Sequence, residues 1–319
     1  MLDPSAVEAM KIYRSALSPC LVEGTWTEEP AIDVRERLAE FNRAVSEKRT
    51  SPDIERVNDV RVETRDGHLL VRVYRPADPR SNGSVVYCHG GGWVLGSIDG
   101  HDYHCRRMAE ASGRTIVSVD YRLAPEHPFP AAFCDAVDAT AWWFDHAEAY
   151  GCDPALISIA GDSAGGNLAS VVSINRRDAG LALPATQVLI YPVVDDDTTT
   201  ASYSRYDRGY HLGRGVMEWF FTQYFQDPSD RAHPGALPLK APDLSGLPPT
   251  LVLTAECDPL CTEGEKFADR LSTFDVPVEY RCFGGMIHSF YAASDEALAV
   301  TSEFLERRLP IERAASNSV

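Results

Sequence analysis

Long hydrophobic runs are missing from this sequence of 319 residues. No stretch of about 18 consecutive apolar residues occurs, which argues against a membrane-spanning helix. The first residues, MLDPSAVEAMKIYR, include acidic groups and lack the apolar core of a secretory signal. We therefore expect a cytoplasmic protein without a membrane span.

Basic residues and metal-type cysteine pairs are also scarce. Lysine and arginine number 30 against 47 aspartates and glutamates, so the formal net charge is −17. This balance argues against nucleic acid or anionic lipid as a partner, because both bind a basic face. The eight cysteines are too sparse for a disulfide scaffold, and their nearest pair, Cys257 and Cys261, has no second pair to complete a zinc site. We expect free thiols.

Short apolar runs alternate with amphipathic segments from about residue 56 onward. This alternation predicts an α/β fold with a mostly parallel sheet and helices on both faces. An antiparallel hairpin at Arg65-Asp66-Gly67 leads into it, which makes about eight strands. The predicted strands are 57–64, 68–75, 84–88, 115–119, 156–160, 187–191, 250–254 and 276–283. The predicted helices are 101–112, 131–149, 164–178, 263–273 and 295–308.

Two regions do not follow this alternation. The first 50 residues predict two amphipathic helices, roughly 4–17 and 34–48. Nearly 60 residues separate the strands ending at 191 and starting at 250, which is too long for a plain crossover, and they include an aromatic helix at 216–225. We interpret residues 1–50 and 196–244 as a cap over a catalytic domain formed by residues 51–195 and 245–319.

The strongest chemical signal is Gly161-Asp162-Ser163-Ala164-Gly165-Gly166, between a predicted strand and a predicted helix. A serine on a sharp strand-to-helix turn needs strained backbone angles and small neighbours. Such a turn presents the hydroxyl of Ser163 to a base. The helix N-terminus behind it offers free N–H groups to a developing anion.

A second signal, His89-Gly90-Gly91-Gly92-Trp93, directly follows another strand. Consecutive glycines leave N–H groups unshielded, as an acyl-transfer enzyme requires where the carbonyl oxygen becomes negative. We expect His89 to be structural.

A nucleophilic serine needs a base and a carboxylate that orients it. His288 follows the last predicted strand and no later histidine exists, which makes it the candidate base. Glu256 and Asp258 both follow the strand at 250–254. Their spacing does not decide between them.

Three further groups have competing interpretations. His101, His104 and Cys105 share a helical face but have no fourth metal ligand nearby, so we expect no metal site. The proline-rich segment at 121–131 predicts a rigid structural loop. The aromatic residues Trp219, Phe220 and Phe221 fit an acyl pocket or internal packing of the cap equally well.

Taken together, the motifs resemble the hormone-sensitive-lipase-like family of α/β-hydrolase esterases. They occur in the family's order over about residues 57–308. The matching segments are HGGGW at 89–93, YRLAPEHPFPA at 121–131, GDSAGGNLA at 161–169, YPVVD at 191–195, DLSGLPPTLVLTAECDPL at 243–260 and GMIHSF at 285–290. One departure is Thr262, which stands where members usually have an acidic residue.

This resemblance implies an α/β-hydrolase fold and a catalytic triad of Ser163, His288 and Asp258. It also implies an oxyanion hole made by the N–H groups of Gly91, Gly92 and Ala164, with Gly90 as a turn residue. No cofactor or metal is expected. A homodimer through the sheet edge is a family-level expectation.

The expected function is hydrolysis of a small-molecule ester of short to medium acyl chain through an acyl-serine. An amidase or deacetylase of an acetylated metabolite would use the same triad. A receptor on the hydrolase fold that binds without turnover is the third interpretation. For the hydrolase, activity should rise with pH through roughly 6 to 7, because the base must be neutral.

Overall fold

The computed structural model describes residues 2–7, 30–46 and 50–309. One eight-stranded sheet runs through this part of the chain, in the order β1-β2-β4-β3-β5-β6-β7-β8. Its strands, β1 to β8 in chain order, are Ile54–Thr64, Gly67–Pro76, Ser84–Cys88, Thr115–Val119, Ile157–Asp162, Thr186–Ile190, Thr250–Cys257 and Val278–Ile287. The pairs β1–β2 and β2–β4 are antiparallel and all other pairs are parallel, which confirms the predicted mixed sheet.

The helices connect the strands as the alternation predicts. In chain order, α1 to α8 are Ala31–Ser46, Asp102–Ser112, Ala131–His146, Ala164–Asp178, Ala201–Arg205, Arg214–Tyr224, Cys261–Thr273 and Asp295–Arg308. Each predicted helix of the α/β region is confirmed to within a few residues of its ends, and the aromatic helix is α6. Within the described ranges, no helix has both the length and the apolar character needed to cross a bilayer.

The sheet is buried on both faces, which explains why its central strands are continuous apolar runs. Successive residues of β3 alternate between two core layers, with Val86 in one and Val85 in the other. Helices α3, α4 and α7 contribute to the first layer, and α2 and α8 contribute to the second. Helices on both faces are therefore confirmed.

The last two strands are longer than predicted, and this extension positions the site. The apolar runs suggested ends at residues 254 and 283, but pairing continues until Cys257 faces Ile287. Ala255 pairs with Phe283, so between these two pairs β8 holds two more residues than β7. The bulge in β8 accommodates that excess.

The N-terminal prediction is tested only in part. Residues 4–7 are helical, and residues 8–17 of the first predicted helix lie outside the described residues. The second predicted helix, 34–48, corresponds to α1 at Ala31–Ser46. The domain boundaries at residues 50, 195 and 244 stay a prediction.

Candidate active site

Ser163 lies on the sharp turn between β5 and α4. Its backbone has a positive φ of 56° with ψ −119°, a strained conformation for a residue with a side chain. Its N–H donates to the carbonyl oxygen of Ile190 at 2.8 Å. A side chain at Gly161 would overlap the carbonyl of Gly165, and one at Gly165 would overlap the carbonyl of Cys88. The motif's glycines are therefore required by close backbone contact around the turn.

Three side chains from distant parts of the chain meet at this turn. The Nε2 atom of His288 lies 3.0 Å from the Oγ of Ser163, and its Nδ1 lies 2.7 Å from Oδ2 of Asp258. All three residues are buried. When a hydroxyl, an imidazole and a carboxylate are hydrogen-bonded in this order, the proton can pass from the serine to the histidine. The carboxylate meanwhile keeps the imidazole ring in its orientation.

The sheet register decides which carboxylate reaches His288. Asp258 and His288 each directly follow a residue of the paired couple Cys257 and Ile287, so they emerge side by side. The Oδ1 atom of Asp258 accepts the N–H of Leu260 at 2.9 Å, which fixes the carboxylate.

Glu256 makes a different contact, because its Oε2 accepts the N–H of Gly285 in the β8 bulge at 2.7 Å. The structure therefore brings Asp258 to the histidine and not Glu256. Spacing in the sequence alone did not decide which of these two carboxylates orients the histidine.

The glycine loop after β3 lies beside Ser163. The N–H of Gly90 donates to Oδ1 of Asp162 at 2.9 Å, as expected for a turn residue that is not an anion donor. Within the part of the chain that the structure describes, no hydrogen bond leaves the N–H groups of Gly91, Gly92 or Ala164. These three donors are available to an anion at the serine.

Asp162 is a site residue that the sequence reasoning missed. Its buried carboxylate accepts hydrogen bonds from the Tyr87 hydroxyl, at 2.7 Å, as well as from Gly90. Burial alone would raise the pKa of this carboxyl, but His101 and His104, with the bond from Tyr87, hold it below its usual range. An ionised Asp162 thus anchors the glycine loop. The aspartate within the Gly-Asp-Ser motif was the available signal.

The histidines near this loop form a stack of rings. The His89 ring lies between those of Tyr121, at 4.2 Å, and His101, at 5.1 Å, and His101 stacks on His104 at 5.5 Å. Burial, with His101 nearby, lowers the pKa of His89 to about 3. His89 is therefore a neutral structural residue, as expected. Among the described residues, no group of three or more potential ligands is arranged to hold a metal ion.

A cavity of about 770 Å³ opens above the serine. Its floor comes from the carboxyl ends of the strands, and its roof comes from α1 and from residues that precede or lie in α6. The floor residues are Gly90, Gly91, Gly92, Asp162, Ser163, Tyr191 and His288. The roof residues are Leu38, Phe41, Val45, His211, Leu212, Val216 and Phe220.

The aromatic residues of α6 divide between the two expected roles. Phe220 lines the cavity, and a side chain at Gly92 would overlap its ring. Trp219 and Phe221 belong to the same buried core cluster as Phe220 but do not line the cavity. Phe220 is therefore the point where the roof contacts the floor.

Arg35 attaches α1 to the rest of the molecule. Its Nε donates to the carbonyl of Val94 at 2.6 Å, and its guanidinium pairs with Glu126 at 2.8 Å. Glu126 belongs to the proline-rich segment, where Arg122 also pairs with buried Asp135 at 2.8 Å. The charged residues Arg122 and Glu126 of this segment therefore form structural ion pairs and do not line the cavity.

Known proteins share the fold and much of the sequence of this chain. Residues 85–292 match a family described by the α/β-hydrolase fold. An ethyl acetate hydrolase of Pseudomonas putida is 39% identical over 291 residues, which cover 88% of this chain and 91% of the relative. An arylesterase of Saccharolobus solfataricus is 34% identical over 94% of this chain and 95% of its own length. A solved esterase from Pyrobaculum calidifontis is 40% identical, with a TM-score of 0.86 over 96% of this chain and 99% of that one.

Proposed function

The chain belongs to the α/β-hydrolase family, among its hormone-sensitive-lipase-like carboxylesterases, and from this premise we propose that Ser163 attacks carboxylic esters of short to medium acyl chain. The protein is a serine hydrolase of carboxylic ester bonds. The observation that carries the residue assignment is the hydrogen-bonded series from Ser163 through His288 to Asp258.

The first half of the proposed reaction forms an acyl-serine. Nε2 of His288 takes the hydroxyl proton as the Oγ of Ser163 bonds to the ester carbonyl carbon. The carboxylate of Asp258 accepts the Nδ1–H, which fixes the tautomer and stabilises the imidazolium. The carbonyl oxygen becomes negative and lies at the N–H groups of Gly91, Gly92 and Ala164.

The second half releases the products. The imidazolium of His288 protonates the alcohol oxygen as the carbon–oxygen bond breaks, and the alcohol leaves. Water then loses a proton to the same nitrogen and attacks the acyl carbon, after which the proton returns to Ser163. Overall, one ester and one water give one acid and one alcohol. The proposed reaction uses no cofactor.

The cavity supports the preference for short and medium acyl chains. Its volume of about 770 Å³ is lined on the roof mainly by apolar side chains, which suits an acyl group of limited length. The relative from Pseudomonas putida is an ethyl acetate hydrolase by name, which places it at the short end of this range.

The deciding experiment measures hydrolysis of p-nitrophenyl esters from acetate to palmitate by the protein and by Ser163→Ala. We expect activity to peak at short or medium chains and kcat to fall by about 10⁴-fold or more in the variant. Ser5→Ala is the matched control, because Ser5 also lines the cavity but bonds to Asp3 and not to a histidine.

Two outcomes would count against the proposal. If Ser163→Ala kept a tenth of the activity, the nucleophile would be another group. If rates peaked at palmitate, the chain-length assignment would be wrong. Neither an amidase nor a non-catalytic receptor is favoured, since the named relatives are ester hydrolases.

We further propose that the protein is a cytoplasmic homodimer that pairs through the edge of the sheet. The strand β8 ends the sheet order, and Tyr280 is among its exposed side chains. Light scattering should give twice the mass of one chain. A monomer at micromolar concentration would contradict the dimer.

A further inference from the structure

Two thiols face each other on the outer side of the β7–α7 turn. Cys261 is the first residue of α7 and Cys282 lies in β8, opposite Thr254 of β7. Their sulfur atoms are 3.9 Å apart, although 21 positions separate the two residues along the chain. A disulfide needs a sulfur separation of about 2.05 Å, so each side chain has to move by only about 1 Å.

These two thiols are more accessible than most of the other described cysteines. Cys282 is exposed and Cys261 is partly exposed, whereas Cys88, Cys105 and Cys152 are buried. A small oxidant in solution therefore reaches this pair before those buried thiols. Cys134, which is also partly exposed, contacts the guanidinium of Arg65, and no other described cysteine is paired with it. It is therefore a matched single-thiol control.

The polar surroundings separate the roles of the two sulfurs. The contact with the Cys261 thiol, with support from Thr254 and Tyr280, lowers the pKa of Cys282 to about 6. The same contact, together with burial, raises the pKa of Cys261. At neutral pH the exposed residue, Cys282, thus carries the nucleophilic thiolate, and Cys261 keeps its thiol proton.

We propose that Cys261 and Cys282 form a reversible redox site that closes to a disulfide when a hydroperoxide is present. The Cys282 thiolate attacks the peroxide oxygen, the O–O bond breaks, and a sulfenic acid and hydroxide form. The Cys261 sulfur then displaces hydroxide from that sulfenic acid, and its thiol proton ends in water. Overall, two thiols and one hydrogen peroxide give one disulfide and two waters.

The disulfide would join the two segments that carry the site's acid and base. The N–H of Cys261 donates to the carbonyl oxygen of Asp258 at 3.1 Å, and β8 ends one residue before His288. Neither cysteine lines the cavity. The bond therefore stabilises the Asp258 turn against β8 without entering the site, and we expect the melting temperature to rise by about 3–8 °C.

The test treats the reduced full-length protein with hydrogen peroxide and maps its tryptic peptides without reduction. Residues 241–266 contain Cys257 and Cys261, and residues 282–307 contain Cys282 alone. We expect these two peptides to be linked, with a loss of about 2 Da per chain. Dithiothreitol should separate them and return the melting temperature to its reduced value.

Variants assign the bond and keep the test decisive. The link should persist in Cys134→Ser and Cys257→Ser and disappear in Cys261→Ser and Cys282→Ser. Wild-type mapping decides the matter even if a variant fails to fold. The proposal is overturned if wild-type Cys282 accumulates as sulfinic or sulfonic acid with no linked peptide, or if the link survives Cys261→Ser. An unchanged melting temperature in the linked protein would overturn the stabilising role.

Discussion

The floor and the roof of the cavity differ in what holds them. On the floor, the polar atoms of Ser163, His288 and Asp162 are placed by hydrogen bonds of 2.7 to 3.0 Å. The roof consists mainly of apolar side chains such as Leu212 and Phe220, which pack in the hydrophobic core. Chemistry requires directed bonds to defined atoms, whereas substrate fit requires a shaped volume. Substitutions on the two sides should therefore differ in size and in kind.

Apart from the loss of Ser163 itself, the largest effect is expected behind the floor, at Asp258. Asp258→Asn should lower kcat by about 10³ to 10⁴-fold, because the amide cannot hold the same His288 tautomer or stabilise its charge. The measurement is kcat on p-nitrophenyl butyrate. Glu256→Gln is the matched control, since its oxygen still accepts from Gly285, and it should stay within twofold. Equal losses in the two variants would contradict the assignment of the acid.

A smaller effect tests the point where the roof contacts the floor. Gly92→Ala should reduce kcat by about 10²-fold, because the new methyl group overlaps the Phe220 ring and displaces an anion donor. Adding Phe220→Ala should recover about tenfold. Recovery is incomplete because φ at Gly92 is 62°, where a side chain costs about 1 kcal/mol. A double variant no better than the single one would show that the ring is not responsible.

The roof alone should change selectivity and leave the chemistry intact. Phe220→Ala enlarges the cavity, so kcat/KM for octanoate relative to butyrate should rise about fivefold. The butyrate kcat should change little, since the substitution removes no hydrogen bond from the floor. Phe221→Leu, on the neighbouring buried residue that does not line the cavity, should leave the ratio unchanged. If both variants shift the ratio equally, general loosening of α6 is the cause.

The smallest effect concerns stability in acid. Burial, with His288 nearby, lowers the pKa of His211 in the roof to about 3. An unfolded chain binds a proton at this residue below about pH 6.5 and the folded chain does not, so stability is lost as pH falls from 6.5 towards 3. The contribution is at most about 1.4 kcal/mol per pH unit. Glu263, whose burial raises its carboxyl pKa, acts in the opposite direction above about pH 4.5.

The measurement is the urea midpoint of the protein and of His211→Asn at pH 7, 6 and 5. The variant should lose less stability across this range than the wild type. If stability fell equally with pH in the two proteins, His211 would bind a proton equally in the folded and unfolded states. Water would then reach this residue in the roof. His89, in the ring stack beside the glycine loop, has the same pKa of about 3, so His89→Asn gives the matching comparison.

Much of the fold, and the serine turn and the histidine of the candidate site, could be predicted because they depend on local sequence or chain order. The continuous apolar run of β3 and the glycines around Ser163 each impose a local backbone form. The predicted strand from 84 to 88 coincides with the observed one. The identity of the histidine also followed from chain order, because no later one exists.

The contacts of other features could not be predicted, because the residues that make them are far apart in sequence. Asp162 anchors the glycine loop through Tyr87 and Gly90, which are 75 and 72 positions away. Nothing in the local pattern distinguishes Phe220 from Trp219 and Phe221, because only the direction in which α6 packs turns one ring towards the cavity.

The sequence by itself determined the α/β alternation, the serine turn, the glycine loop and the place of the histidine, since each follows from local backbone requirements. Spacing did not decide between Glu256 and Asp258, and the family resemblance implied Asp258, but only the tertiary structure shows why that carboxylate reaches His288. Asp258 does so because the β7–β8 register and the bulge in β8 place it beside the histidine and direct Glu256 to Gly285. Strand register arises from pairing between residues about 30 positions apart, and no local pattern of apolar and polar residues encodes it.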